Sequence, residues 1–154
     1  MSRERRAPRH ASRQVALQVL YALDVGSAGA AVEEVFERVA ANFDLPEGAR
    51  AFAKQLVCGV IGDRDAIDAA LARHARNWRL SRMAAVDRNV LRLGAYEILH
   101  TDTPLAVTLD QAVELARRFG AEGSPAFVNG ILDAIAHERS AGPCEPCRSD
   151  EPAA

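Results

Sequence analysis

The chain has 154 residues, 49% of them hydrophobic, which is enough for one ordinary domain with a substantial core and excludes disorder of the whole chain. A formal net charge of -2 gives no overall attraction to nucleic acid, so any such binding has to come from uneven placement of charge. No apolar run approaches the length of a membrane span and the N-terminus lacks the apolar stretch of a secretion signal, so the expectation is a cytoplasmic protein.

The charge is unevenly placed from the start. Residues 1–13 carry Arg3, Arg5, Arg6, Arg9 and Arg13 against the single acid Glu4. Residues 1–10 therefore read as a flexible, arginine-rich arm. A first helix follows, with Val15, Ala16, Val19, Leu20 and Leu23 as its apolar stripe, and the stretch Gly26 to Gly29 breaks it. A second helix is expected over about 31–43, with Val32, Val35, Phe36, Val39 and Phe43 facing inward. Asp44-Leu45-Pro46 then supplies a cap and a proline suited to a first helical turn.

From Pro46 the stripe Ala49, Phe52, Ala53, Leu56, Val57 and Val60 runs on into Ile61, Ile67 and Leu71. It reads as one long helix with Gly59 and Gly62 as weak points. Trp78 and Leu80 fall in a connector, and the next helix spans about 83–100 until Asp102-Thr103-Pro104 ends it. Thr108-Leu109-Asp110-Gln111 matches a capping box, opening a helix that stops at Gly120. Ser124-Pro125 repeats the start signal with a hydroxyl cap, and the last helix ends near Glu138. Residues 139–154 are rich in proline, acid and small side chains and read as a disordered tail. The expectation is all-α: six or seven helices in two packed helical subdomains over residues 11–138.

Catalysis has no visible home in this sequence. There is no glycine-rich phosphate loop, no nucleophile elbow and no helical histidine pair with metal spacing. The histidines His10, His74, His100 and His137 fall in the arm or near helix ends, where surface and capping roles prevail. Cys144 and Cys147 have zinc-knuckle spacing, but a structural zinc site needs four ligands and only His137 is close in sequence, so neither a metal nor another cofactor is expected. With Cys58, the cysteines are odd in number, which argues against a disulfide framework.

The arginine arm is the strongest functional signal, because flexible basic segments neutralise phosphates and release counterions. Its plain alternative is a solvated tail. Asp87 and Arg88 open a helix that also carries Arg92 and Glu97, a pattern that suits an internal ion network as well as a binding surface. Tyr21 and Phe127 are core positions by periodicity, and platforms for RNA bases if they lie near the arm.

Three blocks in order resemble the NusB family: Ala11 to Tyr21, Val86-Asp87-Arg88-Asn89-Val90-Leu91-Arg92-Leu93-Gly94-Ala95-Tyr96-Glu97-Ile98-Leu99, and Ala112 to Gly120 with Phe127-Val128-Asn129-Gly130-Ile131-Leu132-Asp133. The resemblance spans roughly residues 9–137. It implies two helical subdomains and a role in processive antitermination, mainly on ribosomal RNA operons. It implies pairing with NusE, a small-subunit ribosomal protein, binding of the boxA element of nascent RNA by the pair, and tethering of that RNA to the moving polymerase. By family position Arg5, Arg6, Arg9 and Arg13 correspond to the RNA-binding arm, Tyr21 and Phe127 to aromatic positions near it, and Asp87 and Arg88 to a NusE-contacting region. Pro8 within the arm and Gly123, where an acid often stands, depart from the family pattern. A NusB-like domain also fronts some RNA cytosine methyltransferases, but this chain is too short for their catalytic domain. The alternative from another class is a homodimeric or protein-only adaptor of the same fold that does not bind RNA.

Overall fold

The computed structural model describes the backbone of residues 2–26 and 29–140 and the side chains of 9–26 and 29–139. Among these residues there are seven α-helices: α1 (Ser2–Val25), α2 (Val32–Ala40), α3 (Glu47–Gly62), α4 (Arg64–His74), α5 (Ala85–His100), α6 (Leu105–Phe119) and α7 (Ser124–Ser140), with one 3-10 turn, Leu80–Arg82, ahead of α5. The stripe on α1 is buried as its spacing requires, with Val15, Ala16 and Val19 fully covered. α1 packs on α2 and α3, α5 packs with α4, α6 and α7, and contacts of α1 and α3 with α5 join the two groups around one continuous core.

α5 is the axis of that core: every residue from Asn89 to Ile98 is buried, polar ones included. A helix covered on all sides has to satisfy its polar side chains inside the protein, and Asn89, Arg92 and Glu97 do so through partners on α1 and α4.

Several boundaries differ from the sequence reading. α1 starts at Ser2, ahead of the expected start at 11. The expected long helix is two, because the chain turns at Asp63, whose amide closes α3 on Gly59 O while its carbonyl accepts from Ile67 and opens α4. Asp44 is not a helix cap: Pro46 stands immediately before α3, which has no side-chain cap. The capping box at Thr108 is likewise not formed. α6 begins four residues earlier, behind Pro104, so the Thr108 amide already bonds Pro104 O and its hydroxyl is buried without a partner among the described residues. The Ser124 hydroxyl accepts from the Ala121 amide at 2.9 Å and so ties the α6–α7 turn, not an amide of α7. Gly29, at φ 95°, takes a left-handed conformation that suits glycine in the α1–α2 turn. Residues 141–154, with Cys144 and Cys147, lie outside the described residues, and Cys58 is an exposed free thiol on α3.

Candidate nucleic-acid interface

The middle of α1 is fastened down by polar contacts from His10, Ser12, Arg13 and Gln14. The Ser12 hydroxyl donates to Ala49 O at 2.7 Å, drawing α1 onto the start of α3. Arg13, 3% exposed, meets Glu97 of α5, 2% exposed, in a two-pronged pair: Nη2 to Oε1 at 2.7 Å and Nε to Oε2 at 3.0 Å. His10 Nδ1 lies 2.7 Å from Gln111 Oε1 on α6 while Gln14 Nε2 lies 3.0 Å from His10 Nε2. That arrangement suits a neutral ring protonated on Nδ1, a tautomer assigned from its partners.

Arg9 is different. It is exposed, no acid pairs with it among the described residues, and its guanidinium lies 4.7 Å from the centroid of the Phe52 ring. Arg13 also reaches this ring, at 5.4 Å. Phe52 thus supports one arginine held inside and one left free to meet an anion. The side chains of Arg5 and Arg6 lie outside the described residues.

The two aromatic candidates have separate surroundings. Tyr21 is 41% exposed on α1, one turn before Asp24. Phe127 is half-buried and meets Trp78 edge to face, ring centroids 6.0 Å apart. Its aromatic neighbour therefore comes from the α4–α5 connector, whereas Arg9 and Arg13 share Phe52 on α3.

Asp87 and Arg88 part company in the same way. Arg88 reaches inward: Nε and Nη2 donate to Asp24 Oδ2 at 2.8 and 2.7 Å, and Nη1 donates to the carbonyls of Leu80 and Met83. It therefore ties the end of α1 and the 3-10 turn to the start of α5. Asn89 and Arg92 complete the cluster, and Arg92 bridges to Asp68 on α4. Burial alone raises the Asp24 carboxyl, but hydrogen bonds from Arg88 and Asn89 and the charges of Arg88 and Arg92 outweigh it, leaving it below its usual value of 3.8. Asp87, by contrast, is half-exposed, and its Oδ1 is covered with no hydrogen-bond partner among the described residues.

Sequence reading missed two features. Asp24 and Asp68, the anions that neutralise α5, carry no local signal. Trp78 was read only as a connector residue, yet it is 57% exposed, and Arg76, Arg79 and Arg82 surround it without ion pairs among the described residues. The signal was the interleaving of the chain's one tryptophan with arginines. Among the described residues no three His, Cys, Asp or Glu side chains converge as metal ligands would, and no helix is long and apolar enough to cross a membrane.

A NusB family model matches residues 10–137. A transcription antitermination protein NusB of Sorangium cellulosum is 50% identical over 134 residues, covering 83% of this chain and 91% of the relative. The NusB structure of T. maritima superposes with a TM-score of 0.77 at 36% identity, covering 84% of this chain and 91% of that one. A chain in a crystal structure of the antitermination factors NusB and NusE in complex with dsRNA matches with a TM-score of 0.77 at 29% identity, covering 86% of this chain and 98% of that one. With three sequence blocks, a helical fold and a match over most of the chain in agreement, the chain belongs to the NusB family.

Proposed function

We propose that this chain is a cytoplasmic transcription antitermination factor that binds boxA-type RNA together with NusE, within the antitermination complex on RNA polymerase and mainly on ribosomal RNA operons. The observation that carries this reading is its likeness, over nearly the whole length, to a NusB-family chain solved with NusE and RNA. The role is binding, not catalysis.

In this reading Arg5, Arg6 and Arg9 neutralise phosphates. Arg9 supports the assignment by being exposed and free of carboxylates among the described residues. Arg13 acts at one remove: its bond to Glu97 anchors the middle of α1, the helix whose first turns carry Arg5, Arg6 and Arg9. Tyr21 and Phe127 offer ring faces to bases. Asp87 contacts NusE, and Arg88 sets the position of the α5 start that presents it. The partial exposure of Asp87 in the first turn of α5 supports this role.

The test is fluorescence anisotropy of a labelled boxA RNA with this chain, with and without NusE, against a scrambled RNA of equal length. Tighter binding of boxA in the presence of NusE is the expected outcome. Equal affinity for both RNAs, or NusE binding with no RNA binding, would favour the protein-only adaptor instead.

A further inference from the structure

The α4–α5 connector combines three features that the arm does not explain. Trp78 is 57% exposed, although a tryptophan offers a large apolar area that folding ordinarily covers. Arg76, Arg79 and Arg82 are exposed within a few residues of it, each without an ion pair among the described residues. Residues of this connector line an open groove of about 540 Å³ that runs past Trp78. The indole meets Phe127 edge to face, which restrains it, and more than half of its surface still remains exposed.

A flat, braced aromatic surface flanked by free guanidinium groups suits one ligand chemistry better than others. Each nucleotide of a single strand presents a base with a π-face and a phosphate with a charge, and stacking tolerates any base. A protein partner would have to bring acids to all three arginines and an apolar side chain to the ring. Nearby acids do not occupy the arginines: Glu138 serves Arg73 and His74, and Asp68 serves Arg64 and Arg92.

We propose that the connector is a second RNA contact, in which Trp78 stacks a base and Arg76, Arg79 and Arg82 neutralise the phosphates beside it. The inference rests on the reading of this chain as an RNA-binding protein. It enlarges the contact from an arm and two aromatic residues to a surface that includes the α4–α5 connector.

Trp78 is the only tryptophan, so its emission reports on this site alone. RNA is titrated into the full chain saturated with NusE, and tryptophan emission and RNA anisotropy are followed together, using a NusE variant free of tryptophan. Saturable quenching that tracks the anisotropy is expected. Trp78→Ala should weaken RNA binding about 5- to 150-fold, with Trp78→Phe recovering much of it. The triple change Arg76→Ala, Arg79→Ala and Arg82→Ala should make the slope of log K against log salt shallower by about 2, and this variant keeps the test open if Trp78→Ala folds poorly. RNA binding by the wild-type chain with flat tryptophan emission and an unchanged salt slope in the triple variant overturns the proposal while leaving the RNA-binding reading intact. Loss of NusE affinity with RNA affinity retained would also overturn it, making the connector a protein contact. Failure of the wild-type chain to bind RNA at all would remove the parent reading.

Discussion

Arg13 of α1 and Glu97 of α5, 84 residues apart in sequence, close a buried ion pair in which Nη2 and Nε each find a carboxylate oxygen. The Thr103 hydroxyl adds a longer contact to Oε1 at 3.4 Å. Removing one member leaves the other charged and dry, so Arg13→Ala should cost about 3 to 5 kcal/mol in urea unfolding. Lysine cannot reproduce the fork, and Arg13→Lys should remain clearly destabilised. Replacing both members with apolar residues of similar volume should recover most of the loss. A neutral single substitution would show that the pair is not closed in solution.

The Asp24 cluster predicts a pH dependence. Its carboxyl titrates below 3.8, so the stability it contributes is present above that value and is lost as pH falls through the lower, folded value. Asp24→Asn should therefore lower stability at neutral pH and make the acid side of the unfolding curve shallower below about pH 4. Thermal melts of both proteins from neutral pH down to pH 2 check this. Parallel curves would mean that Asp24 titrates alike folded and unfolded.

Two helical glycines should respond to alanine with opposite signs. A Cβ on Gly59 of α3 would run into the Tyr96 ring of α5, whereas one on Gly130 of α7 meets open space. Gly130→Ala should stabilise by roughly 0.5 to 1 kcal/mol, through helix propensity. Gly59→Ala gains the same propensity but forces the nearly buried Tyr96 to shift, at about 1 to 3 kcal/mol, so a net loss is expected. Urea unfolding of the two variants separates the effects, and stabilisation by Gly59→Ala would show that α3 and α5 are less closely packed.

Helix content and the apolar stripes were legible in the sequence because each depends on neighbours three or four residues away. What was illegible depends on partners far along the chain. Arg13 was grouped with the arm and Arg88 with the partner surface, yet each spends its guanidinium on a carboxylate 84 or 64 residues away. Nothing in a local window separates a buried, paired arginine from a free one. The break at Asp63 and the unused capping box at Thr108 failed for a related reason: packing and the position of Pro104 overrode signals that are real but weak.

Phe127 separates two costs. It is half-buried and braces Trp78, so it is neither a sealed core residue nor a free one. Phe127→Ala should reduce RNA affinity by about 1 to 3 kcal/mol while losing less stability than the 3 to 5 kcal/mol typical of a fully buried phenylalanine. A collapsed melting temperature with unchanged RNA affinity in the protein that remains folded would make it a core residue only.

The most direct test concerns the arm. Anisotropy titrations of boxA RNA in the presence of NusE, repeated across a range of salt, compare the wild-type chain with the variant carrying Arg5→Ala, Arg6→Ala and Arg9→Ala. If three phosphate contacts are lost, affinity falls at every salt concentration and the slope of log K against log salt becomes shallower by about 2. The same affinity and the same slope in both proteins would contradict phosphate binding by these three arginines of α1.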